Sequence, residues 1–386
     1  MRGVPAEVSV WAYPWDLADI GVDEALARMG DAGATMTSLA ASYHAGRFLQ
    51  PGNPRRRVYF PEDGTVYWRL DARRWEGELI RPLQARSVTE DGDMMAALLD
   101  RRDRGGARVS AWTVCLHNTR LGTLHPDHVT RTAHGDPNLY ALCPSSPAAR
   151  GYATGLVAEI AALGVDRIEV ETPDFMGFAH GFHHEKDGLP SRPEDAFLLG
   201  LCFCAHCESA ARRDGAPFEE ARQDARALLD AAFAAELPPP ARPLHAGAFA
   251  DRPALHAFLR WRPRQVAGLL AELRAACPAP TRLLLIDWEG SWQSGVEPAL
   301  CAPHLDGALF CAYTQGPAAI PALLAPWRAL VPEVVAGFQL FHPTVRDAAD
   351  LAARVRATEG LATGLNVYNL GLVPPARLGW LRAALR

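Results

Sequence analysis

The stretch Arg167-Ile168-Glu169-Val170-Glu171 follows a helical segment, Ala148–Leu163, and precedes a long polar region. Its apolar residues alternate with its carboxylates, which is the period-2 pattern of a β-strand. Seven other short, apolar, β-rich runs occur along the chain. They are Val8–Tyr13, Thr35–Ser42, Arg108–Leu116, Arg282–Trp288, Gly307–Tyr313, Val334–Phe341 and Leu361–Tyr368. Helical segments lie between these runs, so strands and helices alternate along the chain.

This alternation predicts right-handed βαβ crossovers and a parallel sheet. Eight repeats predict that the sheet closes into an α/β fold of the (β/α)8 type, a TIM barrel. The further helices are expected at Val22–Asp31, Met94–Arg104, Val266–Ala276, Ala318–Leu330, Ala348–Ala357 and Ala376–Leu385. An open, doubly wound sheet is the alternative, but it usually has a glycine-rich turn after its first strand. Here that position reads Trp11-Ala-Tyr-Pro-Trp-Asp16.

We therefore expect residues 1–386 to form a single barrel domain. A barrel of this type needs about 250 residues, and two insertions are expected to hold most of the surplus. The first, Ala45–Asp91, follows the second strand and contains a predicted hairpin, Val58–Trp68, with its turn at Asp63-Gly64. The second, Thr172–Pro280, follows the fourth strand. Both leave the C-terminal ends of strands, where barrel enzymes have their active sites.

The composition is that of a globular protein, with 49% hydrophobic residues, 22% charged residues and a formal net charge of −5. The slightly acidic balance argues against a nucleic-acid partner, which would favour a basic surface. No apolar run approaches the roughly 18 residues of a membrane span, and residues 1–15 lack the features of a signal peptide. We expect a cytoplasmic protein without a membrane partner. The sequence leaves open whether the protein forms a homo-oligomer.

The chain contains a single lysine, Lys186, and its other 38 basic residues are arginine. A Walker-type phosphate loop needs a lysine after its glycines, so this class is excluded. Schiff-base catalysis needs a desolvated lysine amine, and a polar Glu-Lys-Asp-Gly loop does not offer one. No organic cofactor is predicted, and carboxylates become the groups on which catalysis would depend.

Alternation along a barrel strand separates side chains that face the helices from side chains that face the barrel interior. If Ile168 and Val170 pack on helices, Glu169 and Glu171 point inward. If Leu284 and Ile286 of the fifth strand also pack on helices, Asp287 and Glu289 point inward as well. Because an unpaired inward carboxylate is costly, the structural explanation for Glu169 and Asp287 is that they pair with buried arginines or lie at the solvated end of the barrel. In the eighth strand, the same argument places Asn366 and Tyr368 inside.

Paired carboxylates at strand ends are suited to glycoside hydrolysis, in which one protonates the leaving oxygen and the other attacks the sugar or activates water. Sugar sites also need aromatic platforms and neutral hydrogen-bonding groups. The chain carries many such residues just after its strands. The predicted substrate-binding residues are Trp11, Trp15, Tyr43, His44, His117, Asn118, His180, His183, Trp288, Tyr313, Gln339, Asn366 and Tyr368.

Three segments together resemble a family of glycoside-hydrolase-like barrel proteins: Leu142-Cys-Pro-Ser-Ser-Pro147, Ile168–Glu171 and Leu201-Cys-Phe-Cys-Ala-His-Cys207. The order of elements is also similar to that of the β-galactosidase family whose barrel carries a cysteine-bound zinc. The likeness covers Asn118–Asp214 in motif detail and the remainder in element order. It implies a glycosidase barrel with a carboxylate after the fourth strand, at Glu171, and a carbohydrate substrate.

One departure from those β-galactosidases concerns the nucleophile, which they place after the seventh strand. Here that strand ends Gly337-Phe-Gln-Leu-Phe-His342, without a carboxylate. The fifth strand is the best other source. Glu171 and Glu289 are therefore the predicted catalytic pair, with Asp287 and Asp174 as further candidates. The assignment of acid and of nucleophile or base stays open, as do the sugar, the linkage and retention or inversion.

Cys202, Cys204 and Cys207 form a C-x-C-x-x-C motif. Three thiolates at this spacing can bind one Zn²⁺, and a structural site needs a fourth ligand, for which Cys143 and Cys115 are the candidates, with His206 a sterically tight third. The zinc-containing β-galactosidases have the same local spacing plus a distant cysteine. We predict a structural zinc, with metal-free reduced thiols as the alternative.

Two other functions remain open at this stage. A catalytic divalent metal held by Glu171, by Asp287 or Glu289, and by a histidine of the loop after the fourth strand would make the protein a sugar isomerase or epimerase. A barrel that binds a sugar without turnover is the third hypothesis.

Overall fold

Eight parallel strands close a barrel in the computed structural model, which describes residues 7–180, 185–188, 192–237 and 239–386. The strands are β1 (Glu7–Ala12), β2 (Met36–Tyr43), β3 (Arg108–Val114), β4 (Arg167–Glu171), β5 (Arg282–Asp287), β6 (Gly307–Cys311), β7 (Glu333–Gln339) and β8 (Gly364–Tyr368). Each strand pairs with the next, and β8 pairs with β1. The predicted (β/α)8 barrel is confirmed.

Helices surround the barrel and also fill the long loops at its C-terminal end. They are α1 (Pro14–Ile20), α2 (Val22–Asp31), α3 (Ser87–Glu90), α4 (Met94–Asp103), α5 (Thr119–Leu124), α6 (Pro147–Ala162), α7 (Pro193–Leu199), α8 (Ala205–Asp214), α9 (Phe218–Ala234), α10 (Pro253–Ala276), α11 (Pro298–Cys301), α12 (Ile320–Arg328), α13 (Ala348–Arg356) and α14 (Leu378–Ala384). The helix predicted at Val266–Ala276 thus begins 13 residues earlier, at Pro253, and continues through Pro263. No helix among the described residues is long and apolar enough to cross a membrane.

The N-terminal half of the barrel interior is polar. Arg167 of β4 is fully buried and bonds the carboxylates of Glu7, Glu169 and Glu333, which belong to β1, β4 and β7. The bond to Glu169 is 2.5 Å long. Pairing compensates for the desolvation of these charges. Glu169 therefore has a structural role as the partner of a buried arginine, which was one of the explanations that its inward direction allowed.

The first insertion does not contain the predicted hairpin. Asp63 and Gly64 do form a turn, but Val58–Tyr59 pairs with Phe48–Leu49, whereas Thr65–Val66 pairs with Ser42–Tyr43 of β2. Val66 is fully buried and belongs to the main hydrophobic core. Thr65–Val66 therefore gains more stability by extending the barrel sheet, where Val66 is buried in the core, than it would by pairing with the neighbouring strand in sequence.

Candidate active site

Glu171 is the last residue of β4, and its carboxylate faces the C-terminal mouth of the barrel. The indole Nε1–H of Trp112, on the neighbouring strand β3, donates a hydrogen bond to it. Burial raises the pKa of Glu171 to about 7, because desolvation disfavours the charged form more than the indole bond favours it. A carboxyl that titrates near neutral pH can donate and accept a proton under physiological conditions.

The backbone turns sharply directly after this carboxylate. Thr172 has a φ of 51°, a left-handed conformation that a β-branched residue rarely adopts and that costs about 1–3 kcal/mol. Its hydroxyl is buried and has no hydrogen-bond partner among the described residues. Strain of this kind concentrates at functional sites, and here it adjoins Glu171.

Two tryptophans hold the two carboxylates of β4. Trp11 of β1 and Trp112 of β3 stack with their ring centroids 4.8 Å apart. Trp11 donates from Nε1 to Glu169 at 2.6 Å, while Trp112 donates to Glu171. Each indole therefore fixes one carboxylate, Glu169 deep in the barrel and Glu171 at its mouth.

Four tyrosines pack around the two tryptophans. The Tyr13 hydroxyl lies 3.0 Å from that of Tyr43 and 2.7 Å from that of Tyr368, and Tyr313 stacks on Tyr368 with centroids 5.8 Å apart. Burial raises the pKa of Tyr368 to about 12. These hydroxyls therefore stay protonated at neutral pH and act as hydrogen-bond donors and acceptors.

Two cavities meet at Glu171. The inner cavity has a volume of about 460 Å³ and lies over the barrel, and the outer cavity has a volume of about 720 Å³ and lies beneath the loops that follow β4 and β5. Glu171, Trp288 and Glu289 line both cavities. The inner cavity is further lined by Trp11, Tyr43, Trp112, Ile286, Cys311, Tyr313, Thr314, Gln315 and Tyr368.

The side-chain directions predicted for β5 are wrong. Leu284 and Ile286 belong to the cluster inside the barrel, whereas Leu283 and Leu285 pack on the helices. Asp287 consequently points outward, where its Oδ2 accepts a hydrogen bond from Trp327 of α12 at 2.5 Å. Its pKa is raised by burial, but it lines neither cavity. All four residues from Leu283 to Ile286 are apolar, so alternation could not distinguish the two faces.

Glu289 lies in the loop after β5 and reaches the junction of the two cavities. It is exposed, and its Oε2 accepts a hydrogen bond from Gln315 at 2.8 Å. Asp174 lies deeper in the outer cavity and is 1% exposed. Ser294 donates to its Oδ2 at 3.2 Å, while its Oδ1 has no partner among the described residues. Burial raises the pKa of Asp174 to about 7.

Of the predicted substrate-binding residues, Trp11, Tyr43, Trp288, Tyr313 and Tyr368 line the inner cavity. Several others lie elsewhere and have structural contacts, as follows. Trp15 packs among Tyr13, Phe48, Tyr59 and Tyr67; Asn118 caps α5 and donates to the Gly64 carbonyl; and Asn366 donates to Ser9 inside the barrel. The Asn118 side chain lies so close to Gly64 that a Cβ at Gly64 would overlap the Asn118 Oδ1.

The predicted histidines and Gln339 do not line the two cavities as far as the structure describes them. His44 and His117 stack on each other with centroids 4.1 Å apart, and Gln339 pairs with Tyr368 in the barrel register; none of the three lines either cavity. His183 lies outside the described residues, and of His180 only the backbone is described.

Ile286, Cys311 and Thr314 line the inner cavity but were not among the predicted site residues. Cys311 ends β6 and could have been found from that position, as Glu171 was.

A raised pKa alone does not mark the site. Asp16 in α1 also has a pKa raised by burial to about 7, yet it binds the Tyr13 backbone and Gln50 and lines neither cavity.

The cysteine cluster is closed by Cys143, and Cys115 is not part of it. The sulfurs of Cys204, Cys207 and Cys202 lie 3.5, 3.6 and 3.8 Å from that of Cys143. Four thiolates around one Zn²⁺ at about 2.3 Å would be about 3.8 Å apart in a tetrahedron. All four cysteines are buried and within 4.8 Å of one another, so the donor set and its spacing fit a structural zinc site.

The sequence of this chain is not matched by any protein-family model or by any curated protein. Its structure is similar to solved β-galactosidases at low identity. The enzyme from the psychrophilic Marinomonas ef1 gives a TM-score of 0.56 at 12% identity over 98% of this chain and 59% of its own. The enzyme from the haloarchaeon Halorubrum lacusprofundi gives 0.59 at 11% over 98% and 57%.

The enzyme from Bacillus circulans sp. alkalophilus gives a TM-score of 0.54 at 12% identity, over 95% of this chain and 50% of its own. The chain therefore spans between half and three-fifths of the length of these β-galactosidases. At such identities the likeness concerns architecture: the chain has the (β/α)8 barrel fold that these glycoside hydrolases share.

Proposed function

We propose that the protein hydrolyses an O-glycosidic bond, with Glu171 as the general acid. The observation that carries this proposal is the position of Glu171 at the junction of the two cavities, with a pKa raised to about 7. A carboxyl that is partly protonated at neutral pH can protonate the leaving oxygen as the bond to the anomeric carbon breaks. The aromatic walls of the inner cavity supply platforms for a sugar ring.

Glu289 is the proposed second carboxylate. It lines both cavities together with Glu171, and it is held by Gln315. In the proposed reaction it either attacks the anomeric carbon or removes a proton from the attacking water. Asp174 is the alternative partner, because it is buried beside the same cavity with one unpartnered oxygen. Asp287 is not proposed again, since it points toward α12.

The charges around the junction favour a neutral substrate. Glu171, Glu289 and Asp174 are the charged residues that line the two cavities, and no arginine or lysine lines either one among the described residues. An anionic sugar would be repelled by this arrangement. The structural likeness to β-galactosidases makes neutral galactosides the first compounds to test.

The test is a screen of neutral aryl glycosides, beginning with galactosides, in the presence and absence of chelator. We expect turnover in both conditions, and Glu171→Gln should lower kcat/KM by about 100-fold or more. The loss should be smaller for a 2,4-dinitrophenyl glycoside, whose leaving oxygen needs no proton. Glu76→Gln, at an exposed position that lines neither cavity, is the matched control.

The same screen tests the alternatives. Full activity of both Glu171→Gln and Glu289→Gln would overturn the carboxylate assignment, and the relative losses in Glu289→Gln and Asp174→Asn would identify the second carboxylate. In a separate assay with free sugars, isomerisation or epimerisation that chelator removes and Mg²⁺ or Mn²⁺ restores would favour a sugar isomerase or epimerase. Thermal stabilisation by a sugar without turnover would favour a sugar-binding barrel.

We also propose that Cys143, Cys202, Cys204 and Cys207 bind one structural Zn²⁺. The sulfur separations of 3.5–3.8 Å and the burial of all four residues support this proposal. Such an ion would connect the segment before α6 to the start of α8. Its role would be to stabilise the long segment after β4.

A further inference from the structure

A third cavity lies on the outside of the barrel, between α6, α10, the last turn of α8 and the first insertion. Its volume is about 780 Å³, which is within the usual range for the binding site of a small molecule. Among the described residues, it shares no lining residue with the two cavities at the mouth. The proposed hydrolysis therefore does not use it.

The lining of this third cavity, called here the arginine cavity, is basic. Its charged residues are Arg74, Arg150, Arg213, Arg264, Glu78 and Glu272, which together carry a net charge of +2. The two cavities at the mouth are lined instead by carboxylates, and by no arginine or lysine among the described residues. An anionic ligand would therefore be repelled at the mouth and attracted to the arginine cavity.

Two of the four arginines are not neutralised by a carboxylate. Arg150 donates to both carboxylate oxygens of Glu272, at 2.7 and 3.0 Å, so these two charges compensate each other. Arg213 and Arg264 are exposed and form no ion pair among the described residues. Arg213 donates only to the Ser209 hydroxyl, at 3.1 Å. The guanidinium groups of Arg213 and Arg264 are thus available to a ligand.

Neutral polar groups also line this cavity. Ser145 is 8% exposed, and its hydroxyl has a long contact of 3.5 Å with the side-chain oxygen of Gln265. A hydroxyl and an amide can donate hydrogen bonds to an anion. A planar guanidinium binds two oxygens of a phosphate at once, which favours oxyanions over monatomic anions.

We propose that the arginine cavity binds a phosphate group, either as free phosphate or as the phosphate monoester of a small molecule, through Arg213 and Arg264. Two available guanidinium groups match a ligand that is close to a dianion at neutral pH. Glu78 opposes this binding, because its carboxylate lines the same cavity. The inference is independent of the proposed hydrolysis.

The test is calorimetric titration of the whole chain with sodium phosphate and with glucose 6-phosphate, at a constant ionic strength set by sodium chloride. We expect saturable binding of at least one of the two compounds, with a Kd of about 1 mM or lower. Arg213→Gln and Arg264→Gln should each raise that Kd by about 10-fold or more. Glu78→Gln should lower it, because the substitution removes a repelling charge.

Arg226→Gln is the matched control, since Arg226 is an exposed arginine of α9 that forms no ion pair among the described residues and does not line the cavity. It should leave Kd unchanged. Tighter binding of glucose 6-phosphate than of phosphate would identify a phosphorylated small molecule as the ligand, and equal or weaker binding would identify the phosphate group alone; both results support the proposal. No saturable binding of either compound at concentrations up to about 20 mM, or equal Kd values in the three arginine variants, would overturn it.

Discussion

At the scale of single residues, the site depends on the pairing of Trp112 with Glu171. The indole bond lowers the pKa of Glu171, while burial raises it to about 7. Trp11 makes the equivalent bond to Glu169, which is held deeper in the barrel by Arg167 and Ser38. The two tryptophans are thus similar in environment and differ in the carboxylate that they bind.

This difference allows a matched test of the general acid. Trp112→Phe removes a hydrogen bond to the charged form, so the pKa of Glu171 should rise and its carboxyl should stay protonated to higher pH. The alkaline limb of kcat/KM should then move to higher pH, by about one unit. Trp11→Phe should leave that limb in place. Identical limbs in the two variants, measured from pH 5 to pH 9, would count against Glu171 as the acid.

At the scale of elements, the long segment after β4 meets the loop before α6 at the cysteine cluster. Cys204 precedes α8 and Cys207 lies in its first turn, whereas Cys143 lies between the short strand Pro137–Leu142 and α6. Elements about 60 residues apart in sequence are therefore joined at one point.

Metal analysis tests this attachment. The purified chain should contain about one zinc per molecule, and Cys204→Ser should lose it and unfold at lower temperature because metal binding is coupled to folding. Cys115→Ser, a buried cysteine outside the cluster, should keep its zinc. A wild-type chain purified without chelator that contains no zinc would remove the proposed site.

Helix α6 shows how closely the first insertion packs on the barrel. A Cβ at Gly155 would lie 2.6 Å from the ring of Trp75, which is 3% exposed and donates to Glu159 at 2.7 Å. The ring is held from both sides, so it cannot easily move away. Glycine at this position is required by the approach of the tryptophan rather than by the helix.

Gly155→Ala should therefore lower the free energy of unfolding by about 1–3 kcal/mol. Gly30→Ala in α2 is the comparison, since no atom lies within 4 Å of its added Cβ. That substitution should raise stability by about 0.5–1 kcal/mol. Urea denaturation of both variants measures the difference, and a neutral or stabilising effect at Gly155 would show that Trp75 can shift.

At the scale of the whole molecule, buried charges connect strands that are far apart in the chain. Arg167 of β4 bonds Glu7 of β1 and Glu333 of β7, and Arg282 of β5 contacts the same two carboxylates at 3.1 and 2.8 Å. The network spans the N-terminal end of the barrel, opposite the candidate active site.

Removing the central cation should destabilise the whole barrel. Arg167→Met would leave the buried Glu169 without a cationic partner and would remove one of the cations that bind Glu7 and Glu333, so it should lower the free energy of unfolding by about 3–5 kcal/mol. Arg101→Met breaks an exposed pair with Asp23 and should have no measurable effect. If equilibrium unfolding of the two variants were the same, the network would not contribute to stability. Loss of folded protein in Arg167→Met alone would have the same meaning as the expected decrease.

How much of the site can be predicted from the sequence depends on whether each strand shows a clear alternation of apolar and polar residues. In β4, apolar and acidic residues alternate, so the directions of Glu169 and Glu171 were predictable. In β5, four consecutive apolar residues removed that signal, and the predicted direction of Asp287 was wrong. Similarly, aromatic and hydrogen-bonding residues after strands were predicted as a group, but Trp15 packs in an aromatic cluster and Asn118 caps α5, because a position near the mouth does not determine which way a loop turns.

The sequence by itself determined the (β/α)8 barrel, the place of Glu171 at the end of β4 and the three-cysteine motif, because periodicity and spacing are local properties of the chain. Only the folded chain shows that Cys143 completes the cluster, that β5 turns Leu284 and Ile286 inward, and that two cavities meet at Glu171. These features depend on barrel closure and on contacts between residues distant in sequence, which no local pattern encodes.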